Sequence, residues 1–417
     1  MKSISTLAIA VSLLAGGALI STPALAQKKG NEAEAAQPAE WAPKLSKAES
    51  AALKPVQVAL NAKDMAAAAA ALPAAQAVVT SPDGRYFVGR FQLQIGAGTN
   101  NQQLQAEGID AMIASGGGDP TKTALLYKSQ GGLAAQAKDF AKAEAAYARW
   151  AQLAPGDLDA QMALAEIKFH QKKPQEAFPL LERVIAARQA SGAEVPESWH
   201  LLALQAALDA KMDPQALALS KGLISGYPTV KNWRNGILIY RQTNELDPSA
   251  RLDALRLMRA TKTLDRSDEY LALADHLSRG RFYAEAKAVL DEGAAAGKVA
   301  AGDPGAAEIL RVAASRITAD RAALGGLEGR ARSEADGELA LRVAEGYYGH
   351  GDHARAAEFY RLALQKGGVD SSLVNTRLGI ALALAGQNAE AETAFKAVTG
   401  PRAGLAGYWL LWLNQRG

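Results

Sequence analysis

Apolar and small residues recur along most of the chain at helical spacing. In Lys138 to Pro155 (KDFAKAEAAYARWAQLAP), Ala143, Tyr147 and Trp150 stand at i, i+4 and i+7, which puts all three on one helix face. The same spacing returns in Ala286/Leu290/Gly293, Ala356/Tyr360/Ala363 and Ala391/Phe395/Val398. A second helical stripe precedes each of these last three. It carries Leu273, Ala274 and Leu277, then Val343, Ala344 and Tyr347, then Leu378, Gly379 and Leu382. A short polar turn separates the stripes, so each unit reads as helix A, tight turn, helix B.

The units repeat. Ala356 and Ala391 are 35 residues apart, close to the ~34-residue period of one helix-pair repeat. The chain here resembles the tetratricopeptide repeat (TPR) family. The resemblance is carried by Val343-Ala344…Tyr347…Ala356…Tyr360…Ala363 and by Leu378-Gly379…Leu382…Ala391…Phe395. Pro155 and Pro228 each lie 12 residues after the helix-B alanines Ala143 and Ala216, where the family closes its repeat. Fainter copies run through Val56 to Ala75, Tyr86 to Gly118, Leu164 to Ile185, Trp199 to Ile224 and Asn232 to Ala260; Ala306 to Arg332 fits least well. About ten helix pairs are expected. The resemblance implies an all-α fold, a right-handed α-solenoid of antiparallel helix pairs (a TPR-like superhelix) with a C-terminal capping helix. Residues 51–120 are expected as degenerate N-terminal repeats, 121–400 as the main array and 401–417 as the cap. That cap, GLAGYWLLWLNQRG, is apolar almost all round and is expected to close the last repeat, with self-association as the sharper reading.

Composition agrees. Apolar residues make up 49% and aromatics only 6%, so much of the apolar share is alanine, which favours helices that pack closely. A net charge of +3 is too small to argue for nucleic acid. Cysteine is missing, which excludes disulfides, thiolate metal sites and cysteine nucleophiles. At the N-terminus, Lys2, the apolar run Leu7 to Ile20 and Ala24-Leu25-Ala26 form a basic, apolar and small-x-small series. It reads as a signal peptide over residues 1–26, cleaved after Ala26. Residues 27–50, broken by Pro38 and Pro43, read as a flexible polar leader. The mature chain is expected in the periplasm, with no membrane span after cleavage.

Two of the five histidines stand together in His350-Gly351-Asp352-His353. Aligned with the repeats, Gly351-Asp352 is the turn between helices A and B. His353 occupies the slot held elsewhere by Phe140 and Tyr283. A zinc site requires three or four ligands, so a structural turn is expected, with neither metal nor cofactor. No HExxH, GxSxG, P-loop or EF-hand pattern is present, and no catalytic residue is expected. Binding is expected along helix A, which lines the groove in the family the chain resembles. Arg234 and Arg241, a heptad apart, share a face. Asp275 and Arg279, Glu345 and Tyr348, and Lys128 are the other candidates. The expected function is a non-enzymatic envelope scaffold with protein or peptide partners. The alternative is a polysaccharide-handling protein, for export or binding, or a hydrolase with carboxylates facing across the groove.

Overall fold

The computed structural model describes residues 41–416; the expected signal peptide and the first part of the expected leader lie outside them. The described residues hold twenty α-helices and divide into two compact units at Val195/Pro196, inside the stretch expected as one array. The first unit contains α1 (Lys47–Asn61), α2 (Met65–Val78), α3 (Pro82–Gly98), α4 (Gln102–Ser115), α5 (Thr123–Gln136), α6 (Phe140–Leu153), α7 (Leu158–His170) and α8 (Pro174–Ala190). The second contains α9 (Glu197–Asp209), α10 (Asp213–Gly226), α11 (Val230–Thr243), α12 (Pro248–Ala260), α13 (Ser267–Arg279) and α14 (Tyr283–Ala295). It continues through α15 (Pro304–Ser333), α16 (Glu338–Gly349), α17 (His353–Lys366), α18 (Ser371–Leu384), α19 (Asn388–Lys396) and α20 (Ala403–Asn414).

The helices form nine consecutive pairs, with α15 and α20 standing alone. In eight of the nine pairs the turn is one device. A residue with positive φ follows the C-cap: Lys63, Asn100, Lys138, Lys172, Lys211, Arg281, Gly351 or Gly386. The next backbone N–H then reaches back five residues, as in Asp64 to Ala59 (2.9 Å), Asp139 to Ala134 (2.9 Å) and Asp352 to Tyr347 (3.0 Å). This is the Schellman closure, which satisfies carbonyls the helix end leaves open. Only two of the eight residues are glycine. Each of the others carries a left-handed backbone at roughly 1–2 kcal/mol. In the same turns Asp64, Asp139 and Asp352 accept a hydrogen bond from the first turn of the next helix, so one short segment ends one helix and begins another.

Small residues let the paired helices approach. Ala143, Ala356 and Ala391 are fully buried. A Cβ on Gly131 would stand 2.3 Å from the Tyr147 ring, and one on Gly379 would stand 2.5 Å from Phe395. Gly379→Ala is expected to destabilise the second unit by about 1–3 kcal/mol through overpacking, although alanine regains about 1 kcal/mol of helix propensity. Urea denaturation reads the balance, and a variant more stable than the parent would show that Phe395 moves aside.

The helical chain begins at Lys47, inside the expected leader. Ser46 and Glu49 form a capping box, and Trp41 lies against Tyr86 and Phe87. Glu49 is buried and accepts backbone N–H groups from Ser46 (2.9 Å), Ser81 (2.7 Å) and Thr80 (2.9 Å). Those bonds hold its carboxyl far below its ordinary value of 4.5. The unfolded chain therefore binds the proton more readily than the folded one. The stability Glu49 contributes is complete above its ordinary value and declines as pH falls below it. The gap in melting temperature between the parent and Glu49→Gln is expected to shrink as pH falls from about 7 to about 3. A constant gap would mean the carboxylate acts by shape alone.

The core of the first unit comes in successive clusters. One joins α1 to α3, a second α3 to α5, and a third α5 to α7, as expected of repeats that touch mainly their neighbours. The second unit is different: its core is continuous from Ile224 to Leu413. The seven residues Leu252 to Met258 of α12 are all buried, as are Thr376 to Ala383 of α18. A helix covered on every side lies inside its domain. Thus α12, expected as an ordinary second helix of a faint repeat, is an internal strut. The segment 306–332, expected as the weakest helix pair, is one 30-residue helix, α15. Pro304 starts it and no later proline or turn interrupts it, so it runs for about 45 Å. No helix among the described residues is long and apolar enough to cross a membrane.

Candidate functional site

The interior of the second unit is assembled around α12 and α20. The array curves until α18 meets α12: Arg377 reaches Asp253 at 3.2 Å. Asp253 also receives Arg256 at 3.3 Å and Arg402 at 3.0 Å. It has no exposed surface, and the three guanidiniums are nearly as buried. Each arginine has a second carboxylate. Arg256 forks onto Glu285 at 3.0 and 2.6 Å, Arg377 pairs with Glu345, and Arg402 lies 3.2 Å from Asp247. Burial opposes the charge on Arg256, and Glu285 overrides it, so the guanidinium is held well above its ordinary value. Arg377 is pulled below its ordinary value, first by burial.

The last helix closes this interior. α20 packs on α18 and α19 and also on α10, α11 and α12. Its buried face is Leu405, Ala406, Tyr408, Trp409, Trp412 and Leu413. The aromatic polar atoms mostly find partners far back in the chain. Tyr408 and Ser220 hydroxyls meet at 2.6 Å, and the Trp412 indole donates to the Ala260 carbonyl at 3.3 Å. Gln415 accepts from the Trp233 indole at 3.1 Å and donates to the Ile224 carbonyl at 3.0 Å. The Lys221 ammonium stands 5.0 Å over the Tyr408 ring. The expected cap is therefore present, but it seals more than the last repeat: it joins both ends of the second unit.

The candidate residues read from sequence have several fates. Arg234 forks onto Glu269 at 2.9 and 2.7 Å and donates to the Thr263 carbonyl at 2.6 Å. Arg241 turns to the Met258 sulfur at 3.5 Å and lines an open hollow with Asp247 and Arg251. The two arginines thus serve different neighbours. Glu345 is held by Arg377, and Tyr348 is buried with the Arg256 guanidinium 4.5 Å over its ring. Asp275 and Arg279 form an exposed pair with each other at 2.9 Å. In the first unit, Lys128 lies 4.7 Å over the Trp150 ring. His350 to His353 form the A–B turn, with Gly351 at φ 78°. His353 is the first residue of α17, as Phe140 and Tyr283 are of α6 and α14. Among the described residues no group of three or more His, Asp or Glu side chains is placed to hold a metal ion.

The buried charges Asp253, Arg256, Glu285, Arg377 and Arg402 were missed in the sequence reading. A signal existed for some of them. Arg256–Glu285, Arg259–Glu292, Asp265–Lys298 and Arg234–Glu269 are separated by 29, 33, 33 and 35 residues. Opposite charges about one repeat apart face each other on neighbouring repeats. Asp253 to Arg377 and Arg402 spans 124 and 149 residues and follows no such rule.

No protein-family model matches the chain, and no curated protein matches it. Solved helical-repeat structures are similar at low identity. The Naa15/Naa10 assembly bound to HypK-THB is 14% identical over 86% of this chain, which spans 58% of the matched chain, with a TM-score of 0.45. A tetratricopeptide repeat protein from Parabacteroides merdae is 11% identical over 81% of this chain and 100% of its own, with a TM-score of 0.34. PilF of Pseudomonas aeruginosa is 16% identical over 56% and 91%, with a TM-score of 0.28. By its paired helices, their Schellman turns and the small residues between them, the described chain has an all-α, TPR-like fold.

Proposed function

We propose that the chain is a protein-binding scaffold without catalysis of its own, exported to the periplasm, and that it recognises helical segments of its partners. One observation carries the recognition: the second unit already holds a helix, α20, on its inner side. The seat combines apolar burial with fixed polar points, the Ser220 hydroxyl and the Ala260 and Ile224 carbonyls. That is how a groove reads the anchors of an amphipathic helix. A partner helix with aromatic residues at the spacing of Tyr408 and Trp412 would take the place of α20. The export part of the proposal rests on the N-terminal sequence pattern, which lies outside the described residues.

The test has two arms. Fractionation with N-terminal sequencing of the recovered protein should find it in the periplasm, beginning at Gln27; recovery in the cytosol with an intact N-terminus would sink the export reading. In the second arm, proteins crosslinked to the mature chain in an envelope fraction are challenged with excess synthetic peptide spanning 403–416. Displacement is expected. Partners that stay bound at saturating peptide would place recognition away from the α20 seat.

A further inference from the structure

Beside α20, the second unit has a half-open cavity of ≈ 830 Å³, a size that takes a small organic ligand. Its walls include Ala284 and Ala288 of α14, Leu384, Trp409, Tyr348 and Lys262. Carboxylates also reach it, and each is already engaged. Glu285 is forked by Arg256, Glu292 lies 2.5 Å from Arg259, and Asp265 lies 2.5 Å from Lys298. Three polar groups remain over. The Trp409 indole N–H is buried and has no hydrogen-bond partner, although its residue is only 1% exposed. An indole nitrogen can only donate, and a buried donor without an acceptor is rare enough to need an explanation. Among the described residues no carboxylate is paired with the Lys262 ammonium, on the turn after α12. His353 is also among the lining residues, and its buried Nδ1 is unpartnered.

We propose that this cavity binds a small organic monoanion with an apolar body. Lys262 and the Trp409 N–H draw the acid group, and Ala284, Ala288 and Leu384 hold the body. The free groups include a cation and a donor, and every cavity carboxylate is neutralised, so an anion is favoured over a cation or a neutral sugar. The inference does not rest on the partner reading: it concerns the state with α20 in its seat, which a displacing partner helix would end.

The probe is 8-anilinonaphthalene-1-sulfonate, a monoanion with an aromatic body, titrated into the full mature chain by fluorescence. Its uncharged counterpart, N-phenyl-1-naphthylamine, is titrated alongside. Saturable binding of one equivalent of the anion is expected. Ala288→Phe, which fills the cavity, should weaken both probes by about tenfold or more. Lys262→Glu, an exposed substitution unlinked to any ion pair, should weaken the anion by about tenfold and leave the uncharged probe unchanged. No saturable binding below about 1 mM, or binding insensitive to Ala288→Phe, overturns the site. Equal effects of Lys262→Glu on both probes overturn its anion preference. Should Ala288→Phe fail to fold, the Lys262→Glu comparison decides alone.

Discussion

Asp253→Ala should lower the stability of the second unit by about 3–5 kcal/mol, the cost of removing one partner from a buried charge cluster. Three guanidiniums converge on this carboxylate within 3.3 Å. Without it, Arg256, Arg377 and Arg402 repel one another in a space that excludes water, and each retains only its other partner, Glu285, Glu345 or Asp247. Urea denaturation measures the loss. Adding Arg377→Met to the same chain should recover part of it, because one uncompensated cation is gone. A loss below about 1 kcal/mol would put Asp253 in the range of a surface pair and mean that the outer carboxylates suffice.

Trp409→Ala should cost about 3–5 kcal/mol, as large aromatic truncations in cores do. Trp409 is 1% exposed, stacks on Phe395 at 6.3 Å and meets Trp412 edge-on at 5.3 Å. The loss should spread beyond α20. Because α20 touches α10, α11 and α12, amide hydrogen exchange there should accelerate, with α1–α4 as the internal reference. Faster exchange confined to α19 and α20 would show a helix that only caps its nearest neighbours.

Much of the fold could be read from sequence because helix pairing depends on local spacing. Ala356, Tyr360 and Ala363 are buried where the i, i+4, i+7 pattern put them. Phe140, Tyr283 and His353 share one position because their B helices start from the same kind of turn. The interior of the second unit was not legible for the opposite reason. Asp253 and Arg256 look like an ordinary charged helix face, and only partners from α14, α18 and the segment before α20 make them core. The candidate groove residues show the same effect of distant partners. Arg234 and Glu345 lie on helix A, as read, but each is met by an opposite charge from a later repeat. Period counting predicts which residues stack, not which charges the stack consumes.

Closure by α20 also sets a timetable. Ser220 and Tyr408 are 188 residues apart, and at synthesis rates of 5–20 residues per second that separation takes roughly 10–40 s. Through that interval α10–α12 carry an apolar seat with nothing to fill it. An open helical array can gain stability repeat by repeat; this one cannot finish until its final helix arrives. The second unit should therefore fold as one late, cooperative event, and its unfinished chain should be a client for chaperones in proportion to how long the seat stands empty.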